Sequence, residues 1–204
     1  MKPSVLELKR KKGTRWVMLT AYDYPTGKLA AEAGADSVKV EGGLEVVPVV
    51  QALVAAGVPV LGHIGLTPQT ASALGGFKLQ ARDEDGGRKL LADARALEQA
   101  GCWSIVLELV PAPLAKLVTS RAGIPTIGIG AGPECDGQVL VYHDLVGISA
   151  PEFHPKFLKR YAEAGETMRA AIAQYAEDVR AGRYPGEAHS FGINADVLRR
   201  IENG

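Results

Sequence analysis

Near the middle of the chain, Ile105-Val106-Leu107-Glu108-Leu109-Val110-Pro111 makes a short apolar run that carries one carboxylate and is ended by a proline. Entered from Gly101-Cys102-Trp103, a run of this length reads as a buried strand of a parallel sheet. A carboxylate in such a strand is costly unless something pairs with it or protonates it. Burial also makes it a stronger base, as catalysis near neutral pH requires. These seven residues alone fit equally well a Glu at the strand end that points into solvent. The pattern recurs, however. Val38-Lys39-Val40-Glu41-Gly42-Gly43 and Val60-Leu61-Gly62-His63-Ile64-Gly65 also place ionisable side chains at the ends of apolar strands. Three strands with such groups at their C-terminal ends are what an active site on a (β/α) barrel needs.

The rest of the chain alternates in the same way. Strands are predicted over Trp16–Tyr22, Ser37–Glu41, Val58–Ile64, Ser104–Leu109, Pro125–Gly130 and Gln138–His143. Helices are predicted over Pro25–Gly34, Leu44–Ala56, Arg88–Ala100 and Pro113–Arg121. Leu90, Leu91, Ala94 and Leu97 share one face of the third of these. The pattern from Pro155 to Arg183 is helical, and the Gly- and Pro-bearing tail from Tyr184 is expected to be loosely attached. The alternation predicts one α/β domain over residues 1–204, a parallel sheet with helices outside it. Gly128-Ile129-Gly130-Ala131-Gly132 follows a strand as a phosphate-cradling turn would, but Pro133, Asp136 and Gly137 continue a loop where a helix should start. Close backbone approach at a barrel mouth explains these glycines better than a nucleotide site does.

Composition narrows the function. Of 204 residues, 47% are hydrophobic, and 23 Lys plus Arg balance 23 Asp plus Glu. Zero formal charge argues against a general nucleic-acid or anionic-membrane binder. The longest apolar stretches are strand-sized, so no transmembrane helix is expected. Met1–Gly13 is Lys-rich and lacks the apolar core of a signal peptide. Cys102 and Cys135 have neither metal-site nor disulfide-framework spacing and read as reduced thiols. A cytoplasmic protein is expected.

Six stretches together resemble one family, ketopantoate hydroxymethyltransferase. They are Met18-Leu19-Thr20-Ala21-Tyr22-Asp23-Tyr24-Pro25; Val38-Lys39-Val40-Glu41-Gly42-Gly43; Gly62-His63-Ile64-Gly65-Leu66-Thr67-Pro68-Gln69; Val106-Leu107-Glu108-Leu109-Val110-Pro111; Pro125-Thr126-Ile127-Gly128-Ile129-Gly130-Ala131-Gly132; and Cys135-Asp136-Gly137-Gln138-Val139-Leu140-Val141-Tyr142-His143-Asp144. They stand in the family's order and cover most of the chain up to about Pro185. The resemblance implies a (β/α)8 TIM barrel and transfer of a hydroxymethyl group from 5,10-methylenetetrahydrofolate to 2-oxoisovalerate, giving ketopantoate for pantothenate synthesis. It further implies a divalent ion, usually Mg2+, and a homo-oligomer, a decamer in the family. By the same resemblance Glu108 is the catalytic base, Lys39 and His63 bind the keto acid, and Glu41 is a metal-associated carboxylate. A lyase or mutase of the related phosphoenolpyruvate-type barrels fits the fold but not the six motifs.

The chemistry asks for these residue types. Carbon 3 of a 2-oxo acid is acidic only if the developing enolate oxygen is stabilised, which a chelated divalent ion does as a Lewis acid. A carboxylate base must lie over carbon 3, a cation suits the substrate carboxylate, and Glu41 is a hard oxygen ligand of the kind magnesium takes. Lys39 and Glu41 also fit a cross-strand ion pair, and His63 fits a satisfied core histidine. His143, His154 and His189 read as structural or exposed.

The chain departs from the family pattern in one place. Ala35-Asp36 leads straight into Ser37-Val38-Lys39, the family's fourth strand, so its second and third strand–helix units are missing. Those units, on the order of 60 residues at about 30 each, supply two further metal-ligating Asp residues in the family. About six βα units remain. Strand number and shear are linked in a barrel, so six strands are not expected to close as eight do. Two function classes follow: the transferase, or a non-catalytic remnant that binds ligand or partner subunits only.

Overall fold

A computed structural model describes residues 16–19, 37–72, 76–149 and 155–203. In chain order the elements are β1 (Trp16–Leu19), β2 (Val38–Glu41), a 3-10 turn (Leu44–Val46) running into α1 (Val47–Ala55), β3 (Val60–Gly65), α2 (Glu84–Ala100), β4 (Ser104–Glu108), α3 (Ala112–Arg121), β5 (Thr126–Ile129), β6 (Gly137–Leu140), the short α4 (Tyr142–Leu145), α5 (Ala164–Arg180) and α6 (Ala195–Glu202). The expected helix over Pro25–Gly34 and residues 20–22 of the first strand lie outside the described residues.

All strand pairs are parallel, and the order is β1-β6-β5-β4-β3-β2. The first strand therefore pairs with the last, as staves do around a barrel. Among the described residues, β1 and β2 are the two edges of this six-stranded sheet and are not paired with each other. The gap falls between the elements where the sequence departs from the family pattern. The fold is α/β with six parallel strands, as read from the sequence.

Two apolar layers follow from the period of two in each strand. On the helix-facing side, Val60, Ile64, Ile105 and Leu107 pack with Val50 of α1, Leu90, Ala94 and Leu97 of α2, and Ala115 and Val118 of α3. Each fully buried Leu or Ile there contributes about 1.5–3 kcal/mol. On the other face, Leu61, Val106, Ile127, Ile129 and Val139 form a smaller cluster with Trp103 and Phe157. The alternate residues His63 and Glu108 continue this second face towards the strand C-termini.

Several boundaries differ from the sequence reading. Helix α2 starts at Glu84 and not Arg88, because Asp83 caps it by accepting from the Gly86 N–H at 2.8 Å, which outweighs the low propensity of Gly86 and Gly87. It ends at Gly101, whose φ of 104° lets the Cys102 N–H reach the Leu97 carbonyl at 3.1 Å. The strand expected over Gln138–His143 stops at Leu140, and Tyr142–Leu145 turns into α4, so His143 is helical. The helix expected from Pro155 to Arg183 spans only Ala164–Arg180. Residues 155–163 are not helical: Pro155 opens the segment, and the Tyr161 N–H bonds to Leu145 O and the Ala164 N–H to Val146 O.

No helix connects β5 to β6. Residues 130–136 return instead through bends and a turn, with Ala131 and Cys135 packed in the helix-side cluster. Gly128 makes room for Cys135, since a Cβ there would lie 3.1 Å from Cys135 Sγ. The close-approach reading of the glycine run thus holds. At the mouth, a Cβ on Gly130 (φ 62°) would lie 2.8 Å from Leu109 Cδ2, and one on Gly132 would lie 2.4 Å from Ala112 Cβ. Cys102 and Cys135 are both buried free thiols, and burial pushes the Cys135 thiol above its usual range. A thiol reagent is therefore expected to titrate neither cysteine within minutes in the native protein and both in concentrated guanidinium. Fast native reaction of one thiol contradicts this packing.

Candidate active site

The four residues singled out from sequence come together on the inner face of the sheet, at the C-terminal ends of β2, β3 and β4. Register explains how. Glu41 lies opposite His63, and Glu108 lies opposite Gly65, so Glu108 stands one pleat further along the strands than His63. His63 is fully buried. Its Nε2 is 2.9 Å from Glu108 Oε2 and its Nδ1 is 3.5 Å from Glu41 Oε1. Each ring nitrogen thus has a carboxylate oxygen beside it, in contacts that do not meet hydrogen-bond geometry.

Glu41 is mostly buried, with 8% of its side chain exposed. Its Oε1 lies 3.4 Å from Lys39 Nζ, and its Oε2 accepts the Gln69 N–H at 3.0 Å. Lys39 and Glu41 do pair, but along β2 and not across strands as the sequence reading had it, and the Lys39 side chain remains 38% exposed at the edge of the site. Glu108 is also largely buried, with 13% of its side chain exposed.

The backbone around Glu108 is held in uncommon conformations. Leu109, the next residue, has φ of 47°, a left-handed value that costs a non-glycine residue about 1–2 kcal/mol. Its N–H bonds to Ile129 O at 2.9 Å, and its carbonyl accepts the Gln80 N–H at 2.8 Å. The Glu108 carbonyl accepts the Leu66 N–H at 2.8 Å, and only glycine fits at position 65, where a Cβ would lie 2.3 Å from that carbonyl oxygen. Strain of this kind clusters at functional sites.

Three contributors were missed by the sequence reading. The Gln69 amide holds Glu41, Gly65 makes room for Glu108, and Asp93 of α2 braces the turn after Glu41. Asp93 left one sign in the sequence, an acid among Leu90, Ala94 and Leu97 on an otherwise apolar face. His143 is partly buried in α4 and His189 is exposed, both away from this cluster; His154 lies outside the described residues. Among the described residues no three His, Cys, Asp or Glu side chains form a group that could hold a metal ion. A magnesium ion at Glu41 would have to take most of its oxygens from water and substrate, and the Glu41 oxygens already meet Lys39, His63 and the Gln69 N–H.

A sequence profile of the ketopantoate hydroxymethyltransferase family matches residues 26–187. Curated 3-methyl-2-oxobutanoate hydroxymethyltransferases are similar over most of this chain. The one from Moorella thermoacetica is 56% identical over 168 residues, 82% of this chain and 62% of its own length. The one from Thermus thermophilus is 58% identical over 164 residues, 80% of this chain and 62% of its own. The one from Oleidesulfovibrio alaskensis is 54% identical over 179 residues, 88% of this chain and 62% of its own. The matched region thus spans about 62% of the length of these relatives. With profile, relatives and strand-end residues in agreement, the chain belongs to the ketopantoate hydroxymethyltransferase family.

Proposed function

We propose that this site enolises 2-oxoisovalerate and joins it to the one-carbon unit of 5,10-methylenetetrahydrofolate, giving ketopantoate and tetrahydrofolate in pantothenate and coenzyme A synthesis. The observation that carries the reading is the gathering of Lys39, Glu41 and Glu108 around the buried His63 ring, at the strand ends where the sheet presents its inner face. Lys39 supplies a cation for the substrate carboxylate. Glu108 takes the proton from carbon 3, the C–H electron pair becomes the carbon 2–carbon 3 double bond, and the carbonyl π pair moves onto the keto oxygen as the enolate. Carbon 3 then forms a bond to the donor's methylene carbon, both methylene–nitrogen bonds break with their electron pairs left on the two folate nitrogens, water provides the hydroxyl group, and those nitrogens take up the remaining water proton and the proton from carbon 3. A magnesium ion held by Glu41 would supply Lewis-acid stabilisation of the enolate oxygen. General-base catalysis of the proton transfer contributes typically about 100- to 10,000-fold. The test is ketopantoate formation by the purified chain from the two substrates with magnesium. Formation that depends on Lys39 and Glu108 supports the reading, and its absence from a folded protein overturns it for this chain.

One observation favours a second reading, a remnant that binds ligand or partner subunits without turnover. Among the described residues the sheet has two unpaired edges, and no three His, Cys, Asp or Glu side chains are grouped to hold a metal. The two readings part at carbon 3, since only the first predicts loss of its proton.

The resemblance also implies a homo-oligomer. Met168, Ile172, Tyr175 and Val179 support this, as they form an exposed apolar stripe on α5, a helix in which no residue is buried. Among the described residues no helix is long and apolar enough to cross a membrane, and we retain a cytoplasmic location as part of the proposal.

A further inference from the structure

Beyond the strand ends, one buried ionisable group takes no part in the chemistry above. Asp93 sits at mid-helix in α2, 5% exposed, on the face that carries Leu90, Ala94 and Leu97 into the core. A carboxylate there is costly unless its oxygens are met. One is met by Lys89 Nζ, 2.5 Å from Oδ2, and the other accepts the Leu44 N–H at 3.1 Å. Leu44 opens the 3-10 turn three residues after Glu41. Between them, Gly42 donates its N–H to His63 O at 2.9 Å, and Gly43 lies directly under the Asp93 carboxyl, where a Cβ would come within 2.2 Å of Cγ. The chain leaving β2 is thus fixed on one side by β3 and on the other by Asp93.

We propose that Asp93 is a positioning residue for Glu41: from outside the sheet it sets the course of the Gly42–Leu44 turn, and so the seat of the Glu41 carboxylate on the inner face. It touches no substrate. Its importance for catalysis rests on the function proposed above, but its effect on Glu41 does not. A merely structural Asp93 would be easy to replace. Lys89 is 63% exposed, so its ammonium keeps its water when the carboxylate is lost, and a buried ion replaced by an apolar side chain of similar volume is often neutral for stability.

The Gln69 amide reads the outcome without metal or substrate. Gln69 lies in the first turn of a 3-10 helix, where its N–H has no acceptor within the helix, and its partner is Glu41 Oε2. In Asp93→Leu, Gln69 hydrogen exchange is expected to accelerate about tenfold, the loss of one hydrogen bond to a charged acceptor, and to match Glu41→Ala. The amides of Ile105 in β4 and of Leu109 just after it, bonded to Pro125 O and Ile129 O, keep their protection. Asp93→Asn retains an oxygen for Leu44 and is expected to stay within about twofold of the parent. Gly43→Ala, which pushes the same carboxyl aside, is expected to accelerate Gln69 as Asp93→Leu does, and it decides the question if the leucine variant does not fold. Parent-like Gln69 exchange in a folded Asp93→Leu or Gly43→Ala protein, with fast exchange in Glu41→Ala, overturns the proposal. A parent that fails to bind 2-oxoisovalerate with magnesium would sink the transferase reading and leave this result standing.

Discussion

Replacing Glu108 by Gln is expected to lower exchange of the carbon 3 proton of 2-oxoisovalerate by about a thousandfold, within the range that general-base catalysis supplies. Binding of the keto acid is expected to change little, because Lys39 and His63 are untouched and glutamine keeps the side chain's size. The physical reason is specific to position 108. Among the residues at these strand ends, Lys39 is a cation, Glu41 is tied to Lys39 and to the Gln69 N–H, and His63 is buried beneath both carboxylates. Glu108 has its Oε2 beside His63 Nε2 at 2.9 Å, and the proposal assigns its other oxygen to the carbon 3 proton. Exchange measured by proton NMR in deuterated buffer, with keto-acid affinity measured in parallel, checks both halves. Exchange retained in the variant identifies another residue as the base.

Gly65→Ala is expected to lower stability by about 3 kcal/mol and to displace Glu108 with it. Two contributions add. Gly65 has φ of 92°, a left-handed value that an L side chain adopts only at a cost of about 1–2 kcal/mol. The new Cβ would also lie 2.3 Å from the Glu108 carbonyl oxygen, which now accepts the Leu66 N–H at 2.8 Å, so that hydrogen bond, worth about 1 kcal/mol, is lost. For a domain whose net stability is of order 5–15 kcal/mol, this is a large fraction. Urea denaturation gives the stability change, and a midpoint within error of the parent would show that the β3–β4 crossing is looser than described. Relief through backbone movement would shift Glu108 relative to His63, so activity is expected to fall further than stability alone explains.

The strand–helix alternation was legible because each strand is a short apolar run bounded by Gly or Pro and each helix has a 3.6-residue stripe. The buried side of α2 was visible in Leu90, Ala94 and Leu97. What the residues could not show was register. A shift of one residue in β4 would turn Glu108 to the helix side and bring Leu107 or Leu109 to the inner face, and nothing local to Ile105–Pro111 decides between these. The placement came from Gly65, which admits the Glu108 carbonyl, and from Leu109, whose left-handed backbone is held by Ile129 and Gln80. Those are contacts between distant segments. The same holds for Asp93, 49 residues from the Leu44 N–H it accepts, and for Gln69, 28 residues from Glu41. The helix start at Glu84 was hidden for another reason: Gly86 and Gly87 weaken the helical pattern, and the Asp83 cap that rescues it acts on a single N–H.

The open side of the sheet bears on both function classes. β1 pairs with β6, so the strands keep the neighbours they would have as staves of a closed barrel, and the family's inner-face residues on β2, β3 and β4 are assembled without closure. Glu108, His63 and Lys39 lie on three consecutive strands at the end of the sheet opposite β1 in strand order. The proposed enolisation draws on those strands, whereas the further Asp residues that the resemblance implies belong to the units that the sequence reading finds missing.

The decisive measurement is magnesium-dependent deuterium exchange at carbon 3 of 2-oxoisovalerate by this 204-residue chain without folate. It isolates the half-reaction that needs Glu108, His63, Lys39 and Glu41 and no one-carbon donor. Exchange above background, abolished by Glu108→Gln, is the result expected of an active enolising site. Background exchange from a folded chain that binds the keto acid would contradict it and leave the protein a ligand-binding member of its family.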